Sequence, residues 1–215
     1  MPTRPTWIFD LDDTLHDAAP HIFPHINRSM TAYLQEHLRL TEEEAGKLRA
    51  HYWRSYGATL GGMMRHHGTD PDHFLRETHA FSDLSNMVVY ERGLAAMLRR
   101  LPGRKLVFSN APGHYASAVL QLMGIDSHFD AVHSIESSDY QPKPLVAAFR
   151  SPLRAHGLIA ARCIMVEDSR ANLRPAKRLG MKTVWVTREL RSLSYVDVKT
   201  ASVLALPRLL GCLGI

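Results

Sequence analysis

Two aspartates that follow an apolar run are the residues of this chain best suited to chemistry. Asp10 directly follows the apolar residues 7–9, and Asp12 comes two positions after it. Alternate side chains of an extended strand point to the same side, so both carboxylates can meet on one face. Two carboxylates at such close range need a cation or a shared proton, which indicates a metal site, an acid–base pair, or both. The alternative is an acidic loop that only caps the next helix, with Asp13 or Thr14 as N-cap.

Composition is typical of a globular protein outside the membrane. The chain has 215 residues, of which 45% are hydrophobic and 22% are charged. No apolar run reaches the roughly 18–20 residues that a membrane span requires, and the first residues carry no signal-peptide pattern. We therefore expect a cytoplasmic location and no membrane partner. The two cysteines, Cys163 and Cys212, match neither a disulfide framework nor a zinc site.

The net charge of +5 raises the question of nucleic-acid binding. Apart from short clusters at 98–100 and 174–178, the basic residues are scattered, and they form no stripe interleaved with aromatic residues. We therefore expect no nucleic-acid partner, although the charge favours anionic substrates in general. The oligomeric state is open between a monomer and a homodimer.

Short apolar runs alternate with helical patterns along most of the chain. This alternation predicts an α/β fold with a doubly wound, Rossmann-like parallel sheet. Predicted strands span 6–11, 105–109, 131–135, 162–166 and 182–186, with a short last strand at 196–198 before a closing helix. Predicted helices between the later strands span 112–123, 144–156 and 171–179.

The first interval between strands is different, because it contains only helical patterns. Thr41 with Glu44 forms a capping-box pattern, and Asp70 is placed to cap a later helix. We predict a helical cap domain inserted at residues 17–87, and an α/β core domain formed by residues 1–16 and 88–215. The chain crosses between the two near residue 17 and near 87–90, which are natural hinges. The predicted cap helices span 26–38, 41–56 and 71–81.

Ligands bind beyond the carboxyl ends of the strands in open parallel sheets, and these ends carry polar residues here. Asp10 can act as a nucleophile, since a carboxylate can form an aspartyl phosphate. Ser109, with Asn110 beside it, offers a hydroxyl group and nearby backbone N–H groups to phosphate oxygens. Lys143 supplies a cation between two prolines that restrict its backbone. Together these residues predict a phosphate site.

Glu167 and Asp168, which follow another apolar run, supply hard oxygen ligands for Mg²⁺. Each candidate has an ordinary alternative when it is taken singly. Ser109 fits a turn, Lys143 fits a solvated surface, and the acidic pair fits a helix start. The order of these residues and their common place at strand ends favour the functional interpretation.

The motifs in this order resemble those of the haloacid dehalogenase-like superfamily of aspartate-nucleophile phosphatases. Residues 9–15 are similar to its first motif, Ser109 to its second, Lys143 to its third, and the pair Glu167 and Asp168 to its fourth. The resemblance covers nearly the whole chain. It implies the same α/β fold, with a cap inserted between the first and second motifs.

The resemblance also implies a mechanism. Asp10 would attack phosphorus, while Asp12 protonates the leaving oxygen and then takes a proton from water. Mg²⁺ would be the cofactor, held by Asp10, by the backbone carbonyl of Asp12, by Asp168, and by Glu167 directly or through water. Lys143 would help to keep Asp10 ionised. A dehalogenase of the same superfamily is the alternative that Asp12 argues against, because a halide leaves without a proton.

A finer resemblance concerns the cap. Residues 52–60 and 67–71 are similar to the cap of the pyrimidine 5′-nucleotidase branch. This implies a pyrimidine nucleoside monophosphate, such as UMP or CMP, as the substrate. Tyr52, Trp53 and Tyr56 either stack on its base or pack inside the cap. The alternatives are a phosphatase or phosphomutase for a sugar phosphate or phosphoglycolate, and a non-catalytic phosphate- or nucleic-acid-binding protein.

Overall fold

A parallel β-sheet forms the centre of the protein. The structure is a computed structural model that describes residues 4–215, so residues 1–3 of the predicted core domain lie outside the described residues. The strands are β1 (Thr6–Phe9), β2 (Arg104–Phe108), β3 (Ala131–His133), β4 (Cys163–Glu167), β5 (Lys182–Val186) and β6 (Val198–Thr200). They form one six-stranded sheet in the order β3-β2-β1-β4-β5-β6. The predicted fold class is confirmed.

Helices fill the chain between β1 and β2. The first five are α1 (Ile22–Leu38), α2 (Glu42–Tyr56), α3 (Thr59–His67), α4 (Pro71–Thr78) and α5 (Leu84–Met87). The first four of these helices share a hydrophobic cluster, which includes Tyr33, Tyr52, Met63 and Phe74 and which Ile135 of the segment after β3 joins. This segment therefore buries apolar surface without the sheet. The division into a core domain and a cap domain stays a prediction.

The other helices cover both faces of the sheet, because alternate residues of the strands face opposite sides. Trp7 and Phe9 of β1 belong to the cluster that includes α6 (Leu94–Arg100) and α7 (Gly113–Leu122). Ile8 belongs to a second cluster with α8 (Val146–Ala155) and α9 (Arg170–Arg178). The sheet is thus wound on both sides. Within residues 4–215, each helix is too short or too polar to cross a lipid bilayer.

The two crossings between the helical segment and the sheet lie side by side. The backbone N–H of Asp17 donates to the carbonyl oxygen of Val89 at 2.7 Å, and the two residues form an antiparallel bridge. The chain therefore leaves the sheet and returns to it at one place. This pairing limits how far the two passages can move independently.

Local signals predicted some helix boundaries correctly. Thr41 and Glu44 form the reciprocal capping box at the start of α2, and the Asp70 carboxylate accepts hydrogen bonds from two N–H groups of α4. The first helix, expected from residue 26, starts at Ile22 instead. Pro24 fits there because the first turn of a helix needs no N–H donors.

Other boundaries differ from the sequence predictions. Helix α3 was not predicted as a separate element, since its two glycines and missing N-cap side chain weaken the helical pattern. The last strand spans Val198–Thr200 rather than 196–198. The closing helix is a 3₁₀ helix at Val203–Arg208, which contains Pro207.

Close packing of α3 on α2 generates a stability prediction. A Cβ atom at Gly62 would lie 2.1 Å from Cγ of Tyr52. We expect Gly62→Ala to lower the free energy of unfolding in urea by about 1–3 kcal/mol, because the ring must move. The control is Gly46→Ala in α2, where no atom lies within 4 Å of the new Cβ. There alanine should stabilise the helix by up to about 1 kcal/mol. Equal effects of the two substitutions would contradict this packing.

Candidate active site

The candidate residues meet at the carboxyl edge of the sheet, between β1 and β4. The chain runs from β1 to β2 and β3 on one side, and then continues to β4 on the other. The loops that follow β1 and β4 therefore separate and leave a crevice. Asp10 directly follows β1, and Glu167 is the last residue of β4. The backbone N–H of Asp10 donates to the carbonyl oxygen of Val166 at 2.9 Å, which fixes Asp10 beside β4.

Lys143 connects the two acidic strand ends. Its Nζ atom lies 2.6 Å from Asp10 Oδ1 and 2.8 Å from Glu167 Oε2, and it also donates to the carbonyl oxygen of Phe108 at 2.9 Å. The ammonium group thus uses all three of its protons. The side chain is buried. Burial alone would lower the pKa of Lys143, but the Asp10 and Glu167 carboxylates raise it above its usual value. Lys143 is therefore a permanent cation.

Asn110 holds the backbone that carries Lys143. The side-chain amide of Asn110 donates to the Lys143 carbonyl oxygen at 3.1 Å, and its Oδ1 accepts from the Lys143 N–H at 2.7 Å. This reciprocal pair fixes the position of the lysine relative to the end of β2. The structure therefore engages the Asn110 side chain with Lys143, while Asn110 also lines the cleft described below.

Three carboxylates gather at the bottom of this crevice. Asp10, Glu167 and Asp168 each place one oxygen atom within 4.8 Å of the others. Burial raises the pKa of Asp10 to about 7, and the charge of Glu167 adds to this effect. Burial also raises the pKa of Glu167 to about 7 and that of Asp168 to about 6. Lys143 opposes these shifts but supplies only one positive charge.

The donor set fits a hard divalent cation. Mg²⁺ prefers carboxylate oxygen ligands, and a dication would balance the negative charge that Lys143 leaves uncompensated. Asp10 and Asp168 are the residues best able to hold it. Glu167 is less accessible than Asp10, because its side chain is 1% exposed against 9%, and its two oxygen atoms already accept hydrogen bonds from Lys143 and from the N–H of Ser169. The carboxylate of Asp12 is not part of this group.

The carboxylate of Asp12 is held elsewhere. Its Oδ1 atom accepts a hydrogen bond from the hydroxyl of Tyr115 at 2.7 Å and lies 2.8 Å from Nε2 of His16. Both partners are buried. The side chain of Asp12 keeps 16% of its surface exposed and lines the same cleft as Asp10. Asp12 is thus fixed next to the cluster without belonging to it.

Ser109 and Thr14 provide hydroxyl groups around the cluster. Ser109 Oγ accepts from the N–H of Ala111 at 3.0 Å, so its own proton can be donated to a ligand in the cleft. Thr14 Oγ1 donates to Asp10 Oδ2 at 3.2 Å. Asp13 instead accepts from the N–H groups that precede α1, which is close to the capping role considered for it.

A cleft of about 650 Å³ lies above these residues. The helical segment contributes Asn27, Arg49 and Trp53 to its lining, and Trp53 is 62% exposed. The hydroxyls of Tyr52 and Tyr56 instead form hydrogen bonds with histidines of α3. Of the three aromatic residues considered for base stacking, Trp53 is therefore the one that lines the cleft.

Comparison with known protein families identifies the fold and its chemistry class. The family model described as haloacid dehalogenase-like hydrolase matches residues 7–186. The chain belongs to the haloacid dehalogenase-like hydrolases. The expected superfamily is thus confirmed, whereas its pyrimidine 5′-nucleotidase branch is not.

Individual relatives of this hydrolase are distant. It is 23% identical over 198 residues to Phosphate metabolism protein 8 of Saccharomyces cerevisiae, covering 84% of this chain and 60% of that protein. It is 29% identical over 200 residues to a phosphoglycolate phosphatase of Rhodospirillum rubrum, covering 82% of this chain and 77% of that protein. The crystal structure of a HAD phosphatase from Thermococcus onnurineus superposes with a TM-score of 0.69 at 19% identity, covering 96% and 98% of the two chains.

Sequence reasoning missed several residues of this hydrolase's cleft region, among them Asn27 and Arg49 of the lining. His16 and Tyr115 hold Asp12, and the Tyr115 contact joins residues 103 positions apart, so no local pattern predicts it. His79 lines the cleft from the end of α4, and burial lowers its pKa to about 4, so it is neutral. The spacing of His16, four residues after Asp12, was the one local signal available.

The uncompensated charge at Asp168 generates a prediction about stability and metal. In the folded protein the pKa of Asp168 is raised from 3.8 to about 6. Ionisation of Asp168 therefore lowers the stability of the metal-free fold. This loss of stability grows as the pH rises from about 4 to above 6. We expect Asp168→Asn to raise the free energy of unfolding by about 2 kcal/mol in EDTA at pH 8. At pH 4 the gain should vanish. Added Mg²⁺ should stabilise the wild type more than the variant.

The control for this prediction is Asp126→Asn, which removes an exposed aspartate next to Ile125, on the face of the sheet opposite α9. It should change stability by less than about 0.5 kcal/mol under all these conditions. Urea denaturation with and without Mg²⁺ measures both variants. A loss of stability for Asp168→Asn in EDTA at pH 8 would show that its charge is already balanced.

Proposed function

We propose that this hydrolase is a Mg²⁺-dependent phosphomonoesterase that uses Asp10 as its nucleophile. The observation that carries the proposal is the buried ion-pair bridge from Lys143 to Asp10 and Glu167, with Asp168 beside it. A carboxylate in this crevice can attack a phosphoryl group, and the fixed ammonium group can balance the negative charge of that phosphoryl group. Two relatives carry the name phosphoglycolate phosphatase, which supports the same reaction class.

In the proposed reaction, one carboxylate oxygen of Asp10 attacks phosphorus in line while the bond to the leaving oxygen breaks. Lys143 and Thr14 donate hydrogen bonds to the Asp10 carboxylate and hold its orientation. Ser109 donates its hydroxyl proton to a phosphate oxygen. Mg²⁺, when bound at Asp10 and Asp168, supplies charge that keeps the carboxylates ionised and offsets the charge of the phosphoryl group.

Asp12 transfers the proton in both halves of this reaction. It gives its proton to the leaving oxygen, and it then takes one from the water that hydrolyses the aspartyl phosphate. Tyr115 and His16 hold the Asp12 carboxylate in place, so they are positioning residues. A halide would leave without a proton, so this arrangement favours a phosphatase over a dehalogenase.

The helical segment at residues 17–87 is proposed to act as a cap over the cleft. Its side chains Asn27, Arg49 and Trp53 face the carboxylate cluster across the cleft. The paired crossings at Asp17 and Val89 would serve as its hinge. A closed cap would exclude bulk water while the phosphoryl group is transferred.

For the substrate we propose a pyrimidine nucleoside 5′-monophosphate. Trp53 presents an exposed indole on which a base can stack. Arg49 donates from one terminal nitrogen to Asn27 Oδ1 at 2.6 Å, while its buried Nε atom has no partner among residues 4–215. An unsatisfied buried donor is costly, and a carbonyl oxygen of the base would satisfy it. The volume of about 650 Å³ suits a ligand of this size.

Phosphoglycolate is a second candidate substrate. Two relatives are named for it, and Arg49 and Arg54 both line the cleft, where a guanidinium group can bind a carboxylate. The exposed Trp53 favours the nucleotide instead, since a small aliphatic acid has no surface to stack on it.

The proposed reaction is tested first with p-nitrophenyl phosphate. Hydrolysis should require Mg²⁺ and stop in EDTA. Asp10→Asn should lower kcat by at least about 10³-fold while the fold is kept, because the amide is no longer a nucleophile. The control is Asp13→Asn. Asp13 lies close to Asp10 in the chain, but its carboxylate accepts hydrogen bonds from backbone N–H groups. It should keep kcat within about 3-fold. Full activity of Asp10→Asn would overturn the assignment of the nucleophile.

The substrate is tested with a panel of UMP, CMP, hexose phosphates and phosphoglycolate. We expect the highest kcat/KM for UMP or CMP. Trp53→Ala should lower kcat/KM for UMP by about 10-fold and leave p-nitrophenyl phosphate within about 2-fold, because stacking on a base is worth about 1–3 kcal/mol. The control is Trp53→Phe, which keeps an aromatic surface and should restore most of the loss. A preference for phosphoglycolate that Trp53→Ala does not alter would select the second candidate.

The role of Tyr115 is tested by the dependence on the leaving group. Tyr115→Phe removes the hydrogen bond that positions Asp12, so kcat for UMP should fall about 10-fold. The effect on p-nitrophenyl phosphate should be below about 3-fold, because its leaving group needs little protonation. Tyr33→Phe is the control, since its hydroxyl bonds to His73 within the helical segment. Equal losses for both substrates would indicate a purely structural role.

A further inference from the structure

A groove lined by four arginines lies next to the cleft, and the proposed reaction does not use it. The arginines are Arg170, Arg174 and Arg178 of α9 and Arg191 of the segment after β5. The groove has a volume of about 580 Å³. Small-molecule sites occupy about 300–1,000 Å³, so the groove is large enough for one. No acidic residue belongs to its lining, as far as residues 4–215 are concerned.

The groove and the cleft are neighbours along one edge. Pro144 and Ala171 line both cavities. Helix α9 starts two residues after Asp168 and leads back to the next parallel strand, so it runs away from the carboxyl edge of the sheet. Its arginines follow one another at about 6 Å along the helix axis, because they are four residues apart. The cationic stripe thus begins beside the cleft and continues down the side of the protein.

The electrostatics of this stripe are unfavourable without a ligand. Like charges four residues apart on a helix repel one another. Arg170 is also the first residue of α9, where the helix dipole disfavours a cation. It has one weak ion pair, with Glu189 at 3.8 Å. Within the described part of the chain, Arg174, Arg178 and Arg191 form no ion pair. A bound polyanion would relieve this repulsion.

The ring of Tyr195 packs against Arg174 of the groove. The guanidinium carbon of Arg174 lies 5.2 Å from the centroid of the Tyr195 ring. A stacked guanidinium group keeps the N–H groups at its edge free to bind phosphate oxygens in a bidentate manner. The stacking also reduces the side-chain entropy that is lost when a ligand binds.

We propose that this arginine groove binds a linear chain of two or three phosphate groups, either free or as the tail of a nucleotide. Several guanidinium groups in a row match adjacent phosphates better than a single anion. The three arginines of α9 span only about 12 Å, which is short for a nucleic-acid strand. The site is independent of the proposed phosphatase reaction.

The test is titration calorimetry with inorganic tripolyphosphate at low salt in EDTA. Without metal, the carboxylates of the cleft repel a polyanion, so the measured binding reports the groove. The groove variant is Arg174→Gln with Arg178→Gln. The control is Arg99→Gln with Arg100→Gln, which removes the same charge from exposed positions on α6. Hydrolysis of p-nitrophenyl phosphate with Mg²⁺ should persist in both double variants.

We expect one tripolyphosphate per wild-type chain, about 10-fold weaker binding in the groove variant, and less than about 2-fold change in the control. Equal affinity for UTP would assign recognition to the phosphate chain alone, whereas tighter binding of UTP would add a contact to the nucleoside. The proposal is overturned if the wild type does not bind, or if both double variants lose affinity equally. It is also overturned if single-stranded DNA binds more than about 10-fold tighter through the same arginines.

Discussion

The burial of three carboxylates around one ammonium group is the constraint on which the rest of this structure depends. Asp10, Glu167 and Asp168 lie within one small cluster, and Lys143 balances only part of their charge. Uncompensated charge in a buried site raises carboxylate pKa values and opposes folding. The same imbalance makes the site receptive to a divalent cation. The same uncompensated negative charge therefore links the stability of the fold, its affinity for a metal ion and the proposed chemistry.

The scaffold brings these charges together by topology rather than by local sequence. β1 and β4 are hydrogen-bonded parallel neighbours although they are far apart in the chain, so Asp10 and Glu167 end at the same edge. The lysine comes from a third segment, and Asn110 at the end of β2 fixes its backbone. The helical segment adds Trp53 above the cluster. Each participant thus stands on a separate element that the sheet holds in place.

Much of this arrangement could be predicted, because the alternation of apolar strands with capped helices is a local signal. The place of Asp10, Lys143 and Glu167 followed from the rule that ligands bind at the carboxyl edge of parallel sheets. The contact of Tyr115 with Asp12 could not be predicted, since it depends on how α7 packs on the sheet. The arginine groove could not be predicted either, because the sequence alone does not show that Arg191 lies beside α9. Tertiary packing decides such contacts.

The most direct measurement of the central claim is peptide mass spectrometry on the protein quenched in acid during turnover. Asp10 is the carboxylate that Lys143 and Thr14 orient in the cleft. With Mg²⁺ and a phosphomonoester, the account predicts an acid-trapped phosphoryl group on Asp10 that base removes. The phosphoryl group should be absent when Mg²⁺ is replaced by EDTA. Turnover without a phosphoryl group on Asp10, or with one on another residue, would contradict the account.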